Sequence, residues 1–124
     1  MGGSKKRIVP KQELINMYSI EIDVDAKVEL IEIVEWYNQQ KFELGFDFLD
    51  EIENIFTYFI ENPNIYAKFA NNFHRANCNR FPYSIIYTIL EDDKVVFVVG
   101  IFHQHRSPKH IGQRIKDKSK IRKN

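Results

Sequence analysis

The patterned part of the chain begins with apolar and polar residues in alternation. In the segment YSIEIDV, the apolar positions are Tyr18, Ile20, Ile22 and Val24. A period of two residues is typical of a strand that buries one face. We therefore predict a first strand over roughly residues 18–24.

Helical spacing follows this strand. Asp25 can cap a helix whose buried face consists of Ala26, Leu30, Ile33, Val34 and Tyr37, with Glu29, Glu32 and Glu35 on the solvent side. This helix should end near Lys41. A second apolar face recurs at Phe48, Ile52, Ile55 and Phe59, and the proline of ENPN ends it because the residue before proline disfavours helix. The two patterns predict a helical hairpin.

The apolar segments after the hairpin predict an antiparallel sheet. Short strands are expected around residues 68–71 and 75–81, followed by the ribbon NRFPYSIIYTILEDDKVVFVVGIFHQHRSP, which turns at Glu91–Lys94. A short helix is expected after Pro108. We read the order as βααβββ, which predicts an α+β fold in which a helical hairpin packs on a small antiparallel sheet.

The two strands of the ribbon define two faces. A regular turn would pair Leu90 with Val95 and Tyr87 with Val98, and would place Arg80 across from His105. One face then carries Arg80, Ser84, Ile86, Thr88, Val99, Ile101, His103 and His105. The other face, which is the better candidate to pack on the helices, carries Phe81, Tyr83, Ile85, Tyr87, Val96, Val98 and Phe102. A slip of one residue would exchange the faces.

Charge is segregated along the chain although the net charge is only +1. From Glu21 to Glu61 the chain is mostly acidic, whereas after Lys94 the only acidic residue is Asp117. The basic end should attract polyanions such as nucleic acid, although its last few residues could also be a frayed, solvated terminus.

The length of 124 residues fits one domain. We expect a disordered leader or cloning remnant at residues 1–16, a folded domain at 17–115 and a basic tail at 116–124. Cys78 is the sole cysteine, which excludes an intrachain disulfide, and we expect it to be a packed, inert side chain. Neither a membrane span nor a signal peptide is visible, so a soluble, cytoplasmic protein is expected.

Five segments of the chain carry a family resemblance. In order and spacing, EIVEWYNQQ, LGFDFLDEI, NPNIY, RFPYSIIYTI and VVFVVGIFHQHRSP resemble the RelE/ParE superfamily of bacterial toxins from type II toxin-antitoxin systems. The resemblance covers roughly residues 17–115. It implies growth inhibition, a helical hairpin on an antiparallel sheet, and a cognate antitoxin that wraps the toxin.

The resemblance leaves three mechanisms open. RelE-like members cut mRNA in the ribosomal A site, so the partners would be the ribosome and mRNA. ParE-like members inhibit DNA gyrase without such nuclease chemistry. A degenerate member would bind only its antitoxin. The basic residues around the ribbon favour mRNA cleavage slightly over the other two mechanisms.

Cleavage of RNA without a metal needs a base, an acid and cations that stabilise the phosphate. Histidine can transfer protons in either direction near neutral pH, and arginine can grip a phosphate with several donors. The candidate catalytic residues are Arg80, His103, His105 and Arg106, and the candidate nucleic-acid contacts are Arg75, Lys109 and Arg114. We expect no metal and no cofactor.

Several of these side chains also have a simple structural interpretation. His103 could be a satisfied histidine at a strand end, and His105, Arg106 and Arg80 could be solvated surface groups. We expect His74 and His110 to lie on the surface. The pair Trp36 and Tyr37 is expected in the core, because an aromatic pair on a helix is more often packed than exposed.

Overall fold

The structure, a computed structural model, describes Lys11 and residues 17–120. Its strands are β1 (Ser19–Ile22), β2 (Lys68–Ala70), β3 (Phe73–Asn77), β4 (Tyr83–Leu90) and β5 (Val95–His103). Its helices are α1 (Val24–Gln40), α2 (Leu44–Glu61) and α3 (Pro108–Ser119), with a 3₁₀ turn at Pro63–Ile65. Apart from Lys11, the predicted leader lies outside the described residues.

The helical hairpin forms where the apolar periodicity predicts it. All four predicted core positions of α2, Phe48, Ile52, Ile55 and Phe59, are buried. The α1 helix ends at Gln40, as expected, but its cap is Asp23 and not Asp25. The Asp23 carboxylate accepts a hydrogen bond from the Asp25 backbone N–H, because the first strand is shorter than predicted and the helix begins earlier.

A close approach of backbones holds the two helices of the hairpin together. A Cβ atom on Gly45 would overlap the Val34 carbonyl oxygen, so only glycine fits at the start of α2. The Gly45 backbone N–H donates to Asn38 Oδ1 at 2.7 Å. The segment LGF therefore fixes where α2 leaves α1, and with it the position of the acidic residues of α2.

The strands form one sheet in the order β1-β5-β4-β3-β2. β2 to β5 pair antiparallel, as predicted, whereas β1 pairs with β5 in parallel. The parallel pair arises because the helical hairpin carries the chain away from β1 before the other strands begin. Both short strands expected before the ribbon are present, as β2 and β3, so the described order is βααββββα, with one strand more than the order βααβββ. The α+β class is confirmed.

A bulge in β5 changes which side chains share a face. Leu90 pairs with Val95 and Tyr87 with Val98, as predicted, but Ile86 pairs with Gly100. The extra residue, Val99, reverses the faces of everything that follows it. The expectation that Arg80 lies across from His105 is therefore wrong, because β4 begins at Tyr83, whose partner is His103.

Each face of the sheet has its own apolar core. On the face covered by α1 and α2, called the hairpin face, Ile85, Tyr87, Val98 and Ile101 pack with the helices. On the other face, called the α3 face, Ile111 and Ile115 of α3 pack on Ile86, Val99 and Phe102. The predicted placement of Ile101 and Phe102 is thus exchanged. The face of the ribbon that was not expected to pack on the helical hairpin is partly covered by α3.

α3 is longer than the short helix expected after Pro108. Ser107 caps it by accepting a hydrogen bond from the Lys109 backbone N–H, and Pro108 occupies its first turn, where no backbone donor is needed. The helix continues into the predicted basic tail, through Ser119. Its Lys118 is 9% exposed and contacts two carboxylates, Asp23 at 2.9 Å and Asp25 at 2.7 Å.

Two aromatic side chains do not lie where their local sequence suggested. Trp36 is 54% exposed, so the predicted core pair holds only for Tyr37, which packs on the core. His74 is buried, not on the surface, because its ring stacks on Tyr87 and its Nδ1 lies 2.7 Å from the Tyr66 carbonyl oxygen. His110 is exposed, as expected.

Cys78 is buried, and burial raises the pKa of its thiol to about 12.

Within residues 17–120, no helix is both long and apolar enough to cross a membrane.

Candidate functional site

The candidate residues gather around the end of the sheet where β4 begins and β5 ends. The loop before β4 and the turn after β5 are joined there, because the Gln104 backbone N–H donates to the Pro82 carbonyl oxygen at 2.8 Å. The Gln104 side chain also donates to the carbonyl oxygens of Cys78, at 3.4 Å, and Tyr83, at 3.3 Å. These bonds hold the segment of Arg80 beside the segment of His103, His105 and Arg106.

His103 and His105 form a close pair. Their ring centroids are 5.3 Å apart, and the His105 backbone N–H donates to His103 Nδ1 at 3.1 Å. This bond makes Nδ1 an acceptor, so the neutral His103 ring carries its proton on Nε2. The bulge in β5 turns His103 to the hairpin face, where its ring contacts Tyr83 edge to face at 5.3 Å. Burial raises the pKa of the Tyr83 phenol, which keeps that group protonated.

Arg80 lies next to acidic residues of α2. Its Nη2 is 3.2 Å from Asp47 Oδ2, and its guanidinium carbon lies 5.1 Å from the ring centroid of Phe81. The side chains of this ion pair are 61% and 47% exposed, so the pair contributes little to stability. Within residues 17–120, no hydrogen bond or ion pair joins Arg80 to His103, His105 or Arg106.

Glu51 of α2 holds the backbone of the Arg80 loop. Its carboxylate accepts hydrogen bonds from the backbone N–H groups of Asn79 at 2.7 Å, Arg80 at 3.2 Å and Phe81 at 3.3 Å. The sequence pattern assigns no role to Glu51. Glu51 was missed because its partners lie 28 to 30 positions away, and no local pattern signals a contact of that range.

The three predicted nucleic-acid contacts have different surroundings. Arg75 donates to Ser84 Oγ at 3.1 Å and to the Gln104 carbonyl oxygen at 3.4 Å, which places it beside the turn after β5. Lys109 is exposed in the first turn of α3. Arg114 is largely enclosed, because it pairs with Glu29 of α1 at 2.9 Å and donates to the Val99 carbonyl oxygen at 3.0 Å.

A cleft of about 220 Å³ lies between α1 and the end of the β4–β5 ribbon. We call it the α1 cleft. It is lined by Glu29, Glu32, Ile33, Trp36, Tyr83, Ile101, His103 and Arg106. Two of the four candidate catalytic residues, His103 and Arg106, thus line a cleft that also contains two carboxylates. Another cavity, of about 620 Å³, is lined by none of the candidate residues.

The described residues contain no group of three histidine, cysteine or acidic side chains that could hold a metal ion.

Comparisons with known proteins agree on one family of folds. A family model described as the ParE toxin of the type II toxin-antitoxin system parDE matches residues 20–108. The chromosomal ParDE system from P. aeruginosa superposes with a TM-score of 0.61 at 16% identity, and the match covers 71% of this chain and 97% of that chain.

Two structures from E. coli show the same fold. The isolated RelE toxin has a TM-score of 0.56 at 19% identity, with 81% of this chain and 97% of that chain covered. The intact RelBE toxin-antitoxin complex has a TM-score of 0.56 at 18% identity, with 72% and 99% covered. A comparison with curated proteins found no match.

Proposed function

Because the chain belongs to the ParE toxin family of type II toxin-antitoxin systems, we propose that it stops growth by inhibiting DNA gyrase, without cleaving RNA. We further propose that a cognate antitoxin neutralises it. The similarity in fold to the P. aeruginosa ParDE system and to the E. coli RelBE toxin-antitoxin complex supports an antitoxin as partner. The target would be reached through protein contacts and not through a reaction.

The observation that carries this proposal is the presence of carboxylates beside the candidate cations. Asp47 pairs with Arg80 at 3.2 Å, and Glu29 and Glu32 line the α1 cleft together with His103 and Arg106. A nuclease that works without a metal must stabilise extra negative charge on the phosphate in its transition state. Carboxylates at the same positions oppose that charge, so this end of the sheet fits a protein surface better than an RNA backbone.

The purified chain should inhibit the supercoiling of plasmid DNA by gyrase, and an excess of antitoxin should relieve the inhibition. After induction in cells, primer extension across several abundant mRNAs should show no new cleavage sites. The antitoxin is sought as the product of a small gene adjacent to this one that co-purifies with the chain. New cleavage sites in mRNA, together with unaffected gyrase, would overturn the proposed mechanism.

Ribosome-dependent cleavage of mRNA is the second candidate, and the histidine pair favours it. His103 and His105 lie 5.3 Å apart between ring centroids, close enough to serve one reacting phosphate as base and acid. Arg106, three residues beyond His103, would supply a cation. In this case the resemblance to RelE-like nucleases would extend from fold to chemistry.

The substitutions Arg80→Ala and His105→Ala should each weaken growth arrest, because both side chains are exposed at the candidate site. Folding and antitoxin binding should change little. If the chain is a nuclease, loss of either group should slow cleavage about a hundredfold or more. Cell growth after induction, with the melting temperature of each purified variant, provides the measurement. His110→Ala, an exposed histidine on α3, is the control. Full toxicity of both variants would remove these residues from the site.

A further inference from the structure

The α1 helix has an apolar stripe on the side that faces away from the core. Val24, Val28 and Ile31 follow one another at helical spacing and are 66%, 48% and 57% exposed. We call these three residues the outer stripe. The opposite side of the same helix is also apolar, with Leu30, Ile33 and Tyr37 packed against the core. One apolar face is enough to attach a helix to a sheet, so the second face has no role within the described fold.

Acidic side chains adjoin the outer stripe. Glu32 and Glu35 are exposed and lie within one turn of Ile31 along α1. Among residues 17–120, Glu32 forms no ion pair or hydrogen bond. The α1 helix carries a single basic residue, Lys27, against four acidic residues, Asp25, Glu29, Glu32 and Glu35. A segment that binds along this face should therefore be apolar on one side and basic at its borders.

The α1 cleft adjoins the outer stripe through Glu32 and Trp36. Its walls include three aromatic rings, those of Trp36, Tyr83 and His103. Of its two carboxylates, Glu29 already accepts hydrogen bonds from Arg114 and from the Ile101 backbone N–H, at 2.9 Å and 3.0 Å. Glu32 is left as the carboxylate available to a ligand. Arg106 also lines the cleft, with its guanidinium carbon 5.9 Å from the ring centroid of Phe102, a side chain of the α3 face.

From these observations we propose that the outer face of α1 binds a basic amphipathic segment of the antitoxin, and that one arginine of this segment enters the α1 cleft. This inference rests on the proposed function, which supplies the antitoxin as partner. The apolar side of the segment covers the outer stripe. Its arginine stacks on the exposed ring of Trp36 and donates to the Glu32 carboxylate.

Arginine fits the cleft better than other ligands for two reasons. At about 220 Å³ the cleft is smaller than the roughly 300–1,000 Å³ typical of small-molecule sites, so it suits a single side chain. A planar guanidinium can stack on an aromatic face and donate to a carboxylate at the same time, which the compact ammonium group of lysine does less well.

The antitoxin is the occupant because this surface needs a lasting cover. An exposed apolar stripe on a small protein favours association, and the antitoxin is the lasting partner that the proposed function supplies. A segment that orders itself along a helix is also a common mode of recognition for chains that fold on binding. Gyrase is the alternative occupant, and the experiment separates the two.

The test measures antitoxin affinity by calorimetry with Glu32→Lys, Trp36→Ala and the wild-type chain. Both substitutions should weaken binding about tenfold to a hundredfold, because each removes one of the two contacts to the arginine. Growth arrest in cells without antitoxin is measured in parallel, because His103 and Arg106 of the candidate site also line the α1 cleft. Glu53→Lys, which makes the same charge change at an exposed position of α2, is the matched control and should bind like the wild type. Because Glu32 and Trp36 are exposed, the variants should keep the wild-type melting temperature.

A reciprocal exchange adds a second readout. An antitoxin in which the arginine is changed to glutamate should bind the wild-type chain weakly and bind Glu32→Lys more tightly. Equal affinity of the wild type and Glu32→Lys for the antitoxin would overturn this inference and leave the proposed function standing. Loss of growth arrest with unchanged antitoxin affinity would also overturn it, by assigning the cleft to the target. A wild-type chain that binds no antitoxin would overturn the proposed function as well.

Discussion

Phe48→Ala should lower the free energy of unfolding by about 3–5 kcal/mol, the usual cost of removing a large aromatic side chain from a core. The Phe48 ring is fully buried and contacts the rings of Tyr37, Phe81 and Tyr83 at centroid distances of 5.8, 5.3 and 5.5 Å. The lost ring would leave a cavity between α2 and the ribbon. Chemical denaturation monitored by circular dichroism measures the effect.

The same substitution should also affect the candidate site, because Phe81 follows Arg80 and Tyr83 contacts His103. We expect growth arrest to fall with stability even at temperatures where the variant is mostly folded. Phe46→Ala, on the exposed side of the same helix, should change stability by less than about 0.5 kcal/mol. Similar losses of unfolding free energy for both variants would contradict the expectation that the buried contacts of Phe48 stabilise the fold.

Lys118→Met should cost about 3 kcal/mol, because it leaves the carboxylates of Asp23 and Asp25 without their cation. Asp23 and Lys118 are each about nine-tenths buried, with side-chain exposures of 10% and 9%. The pair anchors the end of α3 to the start of α1, across the edge of the sheet. Without it, α3 should fray from the α3 face, and Phe97 and Leu90 beneath its end should gain exposure.

The stability lost in Lys118→Met should depend on pH at both extremes. Hydrogen bonds with Asp25 and Asp23 raise the pKa of Lys118, so this stabilisation is present below the ordinary lysine value of about 10.4 and is lost as the pH rises through the folded value. The hydrogen bond with Lys118 lowers the pKa of Asp25. The stabilisation that Asp25 contributes is therefore present above the ordinary pKa of about 3.9 and is lost as the pH falls through the pKa of the folded state.

The stability difference between the wild type and Lys118→Met should thus be level from about pH 5 to 9 and shrink outside that range. Urea denaturation at a series of pH values measures it. Lys116→Met, an exposed lysine on the same helix, is the matched control and should show no such profile. A difference that stays constant at both extremes of pH would contradict the role of the ion pairs.

The sequence by itself determined the elements whose signal is local. The faces of the helical hairpin follow from spacing alone, since Phe48, Ile52, Ile55 and Phe59 are all buried. The turn at Glu91–Lys94 and the first pairs beyond it, Leu90 with Val95 and Tyr87 with Val98, follow from the turn residues and the alternation beside them. Such patterns suffice because each lies within a window of roughly 11–18 residues.

The tertiary structure decided everything that depends on contacts between distant segments. A single extra residue, Val99, turned His103 to the hairpin face, and alternation cannot show on which strand a bulge will form. His74 became buried because Tyr66 and Tyr87 enclose it, whereas Trp36 is exposed because Tyr37 lies on the side of α1 that packs on the core. The residue types at the candidate site could be read from the sequence. Their carboxylate neighbours, Asp47, Glu51 and Glu29, come from helices that only the packing of the chain brings beside them, because charge attraction acts through space and leaves no periodic mark in the sequence.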